Sequence, residues 1–181
     1  MKLSDFRKFT PTTAQYPVEN SFFYLNYGLK SEAGEVLGKV AKLFRGDKTY
    51  EGMRPQIANE LGDVCWFVSQ IAHFYDLRFK PDVKNFSYFE FHVNDPLIIG
   101  ETANSLFTCC RDLFLQDSVD PTNGKIKDSI VLQYTFEHLL TNIYGLAILI
   151  DYDIETIFSM NKEKLTGRVK KGNIKGNGDN R

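Results

Sequence analysis

Apolar positions recur along this chain with the period of a helix. After Asn20 and Ser21, both good N-caps, the residues Leu25, Leu29, Ala33, Val36, Val40 and Leu43 fall on one stripe when unrolled at about 100° per residue. This first helix runs to about Arg45 and stops at Gly46-Asp47. A second stripe, Ile57, Val64, Phe67, Ile71 and Phe74, predicts a helix that starts near Arg54-Pro55 and runs to about Tyr75, with the proline tolerated in its first turn. A third helix is expected over roughly Leu97 to Leu115, a fourth from about Asp128 to Ile150 and a fifth from about Ile154 to Lys170. Alternation of the β type is scarce. The expected fold class is all-α, a helical bundle of about five helices forming a single domain over residues 1–181.

The stretches between these elements carry turn residues. Residues 1–17, with Pro11 and Pro17, read as an irregular segment. Residues 78–97, with Pro81, Asn85, Asn94 and Pro96, read as a loop insertion made of short irregular pieces. The run "QDSVDPTNGK" (Gln116 to Lys125) is a turn region. Residues 171–181 are rich in Gly and Asn and basic, a composition that is flexible in isolation. One echo links the halves: "FYDL" (Phe74 to Leu77) returns as "DYDI" (Asp151 to Ile154), 77 positions later. At that offset Glu60 falls on Glu137, but Asp63 falls on Leu140 and Glu32 on Cys109. A degenerate duplication and chance similarity of two amphipathic helices both account for it.

The polar residues that break the stripes matter more. Glu32 lies on the edge of the first stripe and Glu35 roughly 60° further out on the same side. Lys39 points between them. Glu60 lies inside the second stripe and Asp63 at its margin. Two acid pairs, each spaced i, i+3, thus edge the faces that should meet other helices. An ionised carboxylate forced into an apolar interface without a partner costs several kcal/mol, and converging like charges add to that cost. Basic partners relieve it, and so does a hard divalent cation such as Mg²⁺ or Mn²⁺. On the fifth helix Asn161, Lys164 and Arg168 share the stripe of Ile154, Ile157, Phe158 and Leu165. Cations entering a bundle interior suit an anionic ligand or the acid cluster itself. On the reverse faces, Gly34, Gly38 and Ala41 line the first helix, and Ala58, Gly62, Cys65 and Ser69 the second. A mid-helix glycine costs roughly 1 kcal/mol against alanine, so these faces are expected to pack closely on other helices, including those of a second copy.

Composition narrows the classes. The chain has 22 basic and 23 acidic residues, a balance that gives no signal for nucleic acid or a membrane surface. The one concentrated basic stretch, Lys162 to Arg181, lacks interleaved aromatics. Apolar runs such as "YGLAILI" fall far short of a membrane span, and "MKLSDFRKFTPTT" has no apolar core of a signal peptide. Cys65, Cys109 and Cys110 are odd in number without a C-x-x-C pair, which predicts reduced thiols in a cytoplasmic protein.

Together, "EAGE" (Glu32 to Glu35), 24 residues, and "ELGD" (Glu60 to Asp63) resemble the E-x-x-E…E-x-x-D signature of the all-α nucleoside triphosphate pyrophosphohydrolases. That superfamily holds the MazG-like proteins and the dimeric dUTPase and dCTPase-type enzymes. The words "YGLKSEAGEV", "NELGDVCWFV", "NKEKLTGR" and "GNIKGNGDNR" are also MazG-like. The resemblance covers residues 20–77 and 154–181, and residues 78 to about 130 have no counterpart. It implies a Mg²⁺-dependent enzyme, with Mn²⁺ as substitute, that converts a (d)NTP and water to a (d)NMP and pyrophosphate. Glu32, Glu35, Glu60 and Asp63 would hold the metal, and one of them would orient the water. Lys39, Asn161, Lys164, Arg168, Lys171, Lys175 and Arg181 would contact the substrate. A homo-oligomer, dimer or tetramer, is implied as well. Two rivals stand beside it. A di-iron bundle needs Glu-x-x-His, a spacing that His73, His92 and His138 do not supply. A non-catalytic helical nucleotide-binding or interaction module would share the ancestry without the chemistry.

Overall fold

The computed structural model describes residues 1–81, 86–115 and 117–172. These residues form α1 (Leu3–Phe9), α2 (Ser21–Arg45), α3 (Tyr50–Phe74), α4 (Phe86–Phe91), α5 (Pro96–Asp112), α6 (Ser129–Leu149) and α7 (Ile154–Lys170). Among them there is no strand, only an isolated bridge between Val119 and Ile126. The fold is the expected all-α bundle, with two short helices added to the five long ones.

Both additions fall where irregular chain was expected. Leu3–Phe9 makes barely two turns and buries one side chain, Phe6, so no period shows in the sequence. Its anchor is tertiary: the Phe6 ring stacks on Phe158 with centroids 4.4 Å apart. Phe86–Phe91 is similar, with Phe86 stacked on Tyr144 of α6. The start of α3 also differs from expectation. The Thr49 hydroxyl accepts from the Gly52 N–H, and the helix begins at Tyr50, placing Pro55 inside it. The carbonyl that the missing Pro55 N–H would have served is that of Glu51, in an exposed first turn, so the loss costs little. Phe74, expected on the buried stripe, is 45% exposed in the last turn of α3.

Two hairpins lie side by side. α2 and α3 form the first, α5 and α6 the second, with α5 packed on α2. Gly46, at φ 79°, ends α2 in the left-handed conformation, as the sequence predicts. Both ends of α3 are pinned. At its start Arg54 donates to the carbonyls of Ile150 and Asp151 at 2.7 and 2.8 Å, and so covers the open end of α6. At its far end the Tyr75 hydroxyl donates to the Gly124 carbonyl at 3.0 Å. The two hairpins close with the same device: Asp76 and Asp151, 75 positions apart, both take positive φ (52° and 55°). The following residues, Leu77 and Tyr152, donate back to Ala72 and Ala147. The shared turn relates the two helix ends at an offset of 75, two fewer than the 77 between "FYDL" and "DYDI". In this register Glu32 falls on Phe107, Glu60 on Thr135 and Asp63 on His138, so the second hairpin repeats the shape without the acids.

The reverse face of α3 is filled from within the chain. Ala58, Gly62, Cys65 and Ser69 are all buried. A Cβ on Gly62 would lie 3.2 Å from Cβ of Asn161 on α7. The Ser69 and Thr10 hydroxyls are 2.8 Å apart, and the Trp66 indole donates to Thr13 at 2.9 Å. α7 and the residues after α1 thus occupy this face, where a second copy had been among the expectations. The reverse face of α2 is more open: Gly34 meets only the Phe107 ring at 4.0 Å, and Gly38 and Ala41 are exposed. Cys65 and Cys110 are buried free thiols, and Cys109 is half-buried and free. No helix among the described residues is long and apolar enough to cross a membrane.

Candidate metal centre

Because α2 and α3 are antiparallel neighbours, their edge acids meet across the groove between them. Carboxylate oxygens of Glu32, Glu60 and Asp63 lie within 4.8 Å of one another. Glu35, one turn along α2, is exposed on the rim of the same side. It is close enough for its charge to act on Glu32. α7 closes the groove from the other side, because Gly62 lets its backbone come near.

The cations reach the acids directly. Lys39 Nζ lies 3.0 Å from Glu60 Oε1, and these side chains are 18% and 9% exposed. Lys164 forms an ion pair with Asp63 Oδ2. The Asn161 amide donates from Nδ2 to Asp63 Oδ1 at 2.8 Å. Arg168, a turn beyond Lys164, is near enough for its charge to lower the Asp63 pKa. Lys171 caps α7 and is exposed. Lys175 and Arg181 lie outside the described residues.

Two ammonium groups serve three converging carboxylates, and the deficit falls on Glu32. No hydrogen bond or ion pair reaches Glu32 among the described residues. Burial pushes its pKa up to about 8, and the charges of Asp63, Glu35 and Glu60 add to the shift, against the opposing pull of Lys164. Burial also raises Asp63 above the ordinary carboxylate range despite Lys164. One more group is unsatisfied: Asn161 is 2% exposed, and its Oδ1, a buried acceptor, has no donor. An orphaned buried acceptor costs about 1–3 kcal/mol.

These observations test whether a metal suits the site. The converging donors are carboxylates from facing helices, with an unpartnered amide oxygen beside them and no sulfur or imidazole in the group. A set of oxygen donors is the chemistry of a hard cation, Mg²⁺ or Mn²⁺. Added positive charge would relieve the condition that raises Glu32. The residues fit the ion.

An aromatic cluster that the helical spacing does not reveal lies along α2 and α3 beside the acids. Phe67 sits one turn beyond Asp63, and its ring lies against Gly28, one turn before Glu32. The Tyr24 ring lies 5.5 Å from Phe67, and Tyr16 stacks on Tyr24 at 4.5 Å. Of the other aromatics at the start of α2, Phe22 is buried core, while Phe23 and Tyr27 are exposed on a different side. The signal for this aromatic cluster was Gly28, a glycine interrupting a helix four residues before Glu32. A Cβ at Gly28 would fall 2.2 Å from Phe67 Cε1. Gly28→Ala is therefore expected to lower stability by about 1–3 kcal/mol through overpacking. A denaturant titration measures it, and an unchanged midpoint would show that the ring turns aside freely. A separate groove on the outer face of α7, lined by Met1, Asp5, Ser159, Lys162, Glu163 and Thr166, holds none of the site residues.

Comparison with known proteins adds one partial likeness. Over 57 residues the chain is 44% identical to the Gene 37 protein of Mycobacterium phage L5. The match spans 30% of this chain and 49% of that relative, so the chain covers about half the relative's length. No protein-family model matches the chain. No solved structure matches it.

Proposed function

We propose that the chain is a Mg²⁺-dependent nucleoside triphosphate pyrophosphohydrolase that cleaves (d)NTP to (d)NMP and pyrophosphate. One observation carries the reading: carboxylates from two facing helices converge beside two lysines and a buried asparagine with an unpartnered oxygen. Glu32, Glu60 and Asp63 would hold the metal, with Glu35 at the rim. The ion, when bound, supplies charge neutralisation of the phosphoanhydride and polarisation of its oxygens. The chain's own residues do the rest. Lys39, Lys164 and Arg168 bind phosphate oxygens, Asn161 orients what enters from the α7 side, and a carboxylate of the cluster takes the proton of the attacking water. Tyr24 and Phe67, whose rings lie together beside the acids, would exclude water from that end of the site. MazG-like membership, a cytoplasmic setting and a homo-oligomer through the open edge at Gly38 and Ala41 belong to the same reading. Nothing in the charge pattern calls for nucleic acid as a partner.

The test is product analysis over a panel of ribo- and deoxynucleoside triphosphates, with Mg²⁺ and with chelator. Monophosphate and pyrophosphate formed only with metal is the expected result. It would also rank the bases, whose recognition rests on a few pocket contacts. No turnover of any triphosphate would reject the enzyme and leave a helical nucleotide-binding or interaction module.

A further inference from the structure

The groups that would hold phosphate are engaged with the groups that would hold metal. Lys39 is paired with Glu60, and Lys164 with Asp63. Asn161 spends its donor on Asp63 and leaves its acceptor unpartnered. Each pair is largely removed from water, with side chains 9–25% exposed, so neither partner is freely available to a newcomer. A divalent cation entering alone must draw an ammonium away from the carboxylate it is paired with in a setting largely removed from water. A polyphosphate entering alone must draw a lysine from a carboxylate that then stands uncompensated. Entering together, the cation takes the carboxylates and the phosphates take the lysines, and no charge is left unpaired.

We propose that Lys39 and Lys164 are internal counter-ions, exchanged from carboxylate to polyphosphate when the metal arrives, so that cation and polyphosphate bind cooperatively at this site. The proposal rests on the metal-and-triphosphate reading and says how the site discriminates: it favours the metal–polyphosphate pair over either ion alone. Linkage makes the coupling reciprocal, and couplings of this kind run from about fivefold to a hundredfold.

Each half is testable alone, without turnover. Lys164→Met removes one counter-ion, so the variant should bind Mn²⁺, with no phosphate present and free Mn²⁺ read by electron paramagnetic resonance, about tenfold more tightly than the parent. Asp63→Asn frees Lys164, so the variant should bind inorganic pyrophosphate in chelator more tightly by a similar factor, read by calorimetry. Lys162→Met, on the outer face of α7, is the control for net charge and should leave both unchanged. If Lys164→Met does not fold, Lys39→Met tests the matching pair. Affinities that are unchanged or weaker in the two site variants, or an equal gain in the control, would overturn the exchange. Normal pyrophosphate release with unmoved affinities would overturn it alone. Shifted affinities without turnover would keep the exchange and reject the enzyme.

Discussion

Glu60→Gln is expected to cut metal-dependent pyrophosphate release by at least about a hundredfold while the helical fold survives. Glu60 is the most buried of the converging acids, and its oxygen meets both the cluster and Lys39. Glutamine keeps the volume, so α3 has no cavity to close. The amide removes the charge that draws a cation and leaves Lys39, at 18% exposure, able to reach water. Circular dichroism and a thermal melt verify the fold, and a pyrophosphate-coupled assay reads the loss. Glu35→Gln is the internal comparison: it sits on the exposed rim and should cost far less. Equal losses in the two variants would mean that Glu35 joins the centre during turnover. Full activity in Glu60→Gln would remove the metal assignment.

Without metal, stability should fall as pH rises, and added Mg²⁺ should restore it. Glu32 has an ordinary pKa of 4.5 when exposed and about 8 in the folded chain. Between those values the folded state holds a proton that the unfolded chain has released. Unfolding is then favoured by rising pH, by up to about 1.4 kcal/mol per pH unit for a fully coupled single site. The penalty is absent below pH 4.5 and complete above 8. Asp63, also raised, adds in the same direction. A series of melts in chelator from pH 5 to 8.5 should show the midpoint descending. The same series with Mg²⁺ should be flatter, because a ligand that binds only the folded state stabilises it most where the carboxylates are ionised. Glu32→Gln should flatten the chelator series on its own. A midpoint that rises over this range in chelator would show that the acids are already well compensated.

The helices α2 and α3 were readable because each buries a stripe over about four turns. Leu25 through Val40 on α2 and Ile57 through Ile71 on α3 are buried as their spacing predicts. The short helices were not readable, since Phe6 and Phe86 owe their places to Phe158 and Tyr144, more than fifty residues away. Pro55 points to a first turn because proline sits there more often than at a sixth position, whereas the Thr49 cap starts the helix five residues earlier. At the site, i, i+3 spacing brought out the acids, and Lys164 and Asn161 stood out as polar residues on an apolar stripe. What spacing along one helix cannot give is depth. Helical spacing puts Glu35 roughly 60° further from the stripe than Glu32, but it does not show that this leaves Glu32 among the converging acids and Glu35 exposed at the rim. Nor can it give pairing: that Lys39 answers Glu60 and Lys164 answers Asp63 depends on how α2, α3 and α7 lie against one another.

The hairpin α5–α6 ends in the same turn as α2–α3, but at the offset of 75 it has Phe107, Thr135 and His138 where the first has acids. Glu32 and Lys39 from α2, Glu60 and Asp63 from α3, and Asn161 and Lys164 from α7 all belong to one polypeptide. The cluster therefore forms within one copy of the chain, and the second hairpin carries no matching set of acids at these positions beside α2.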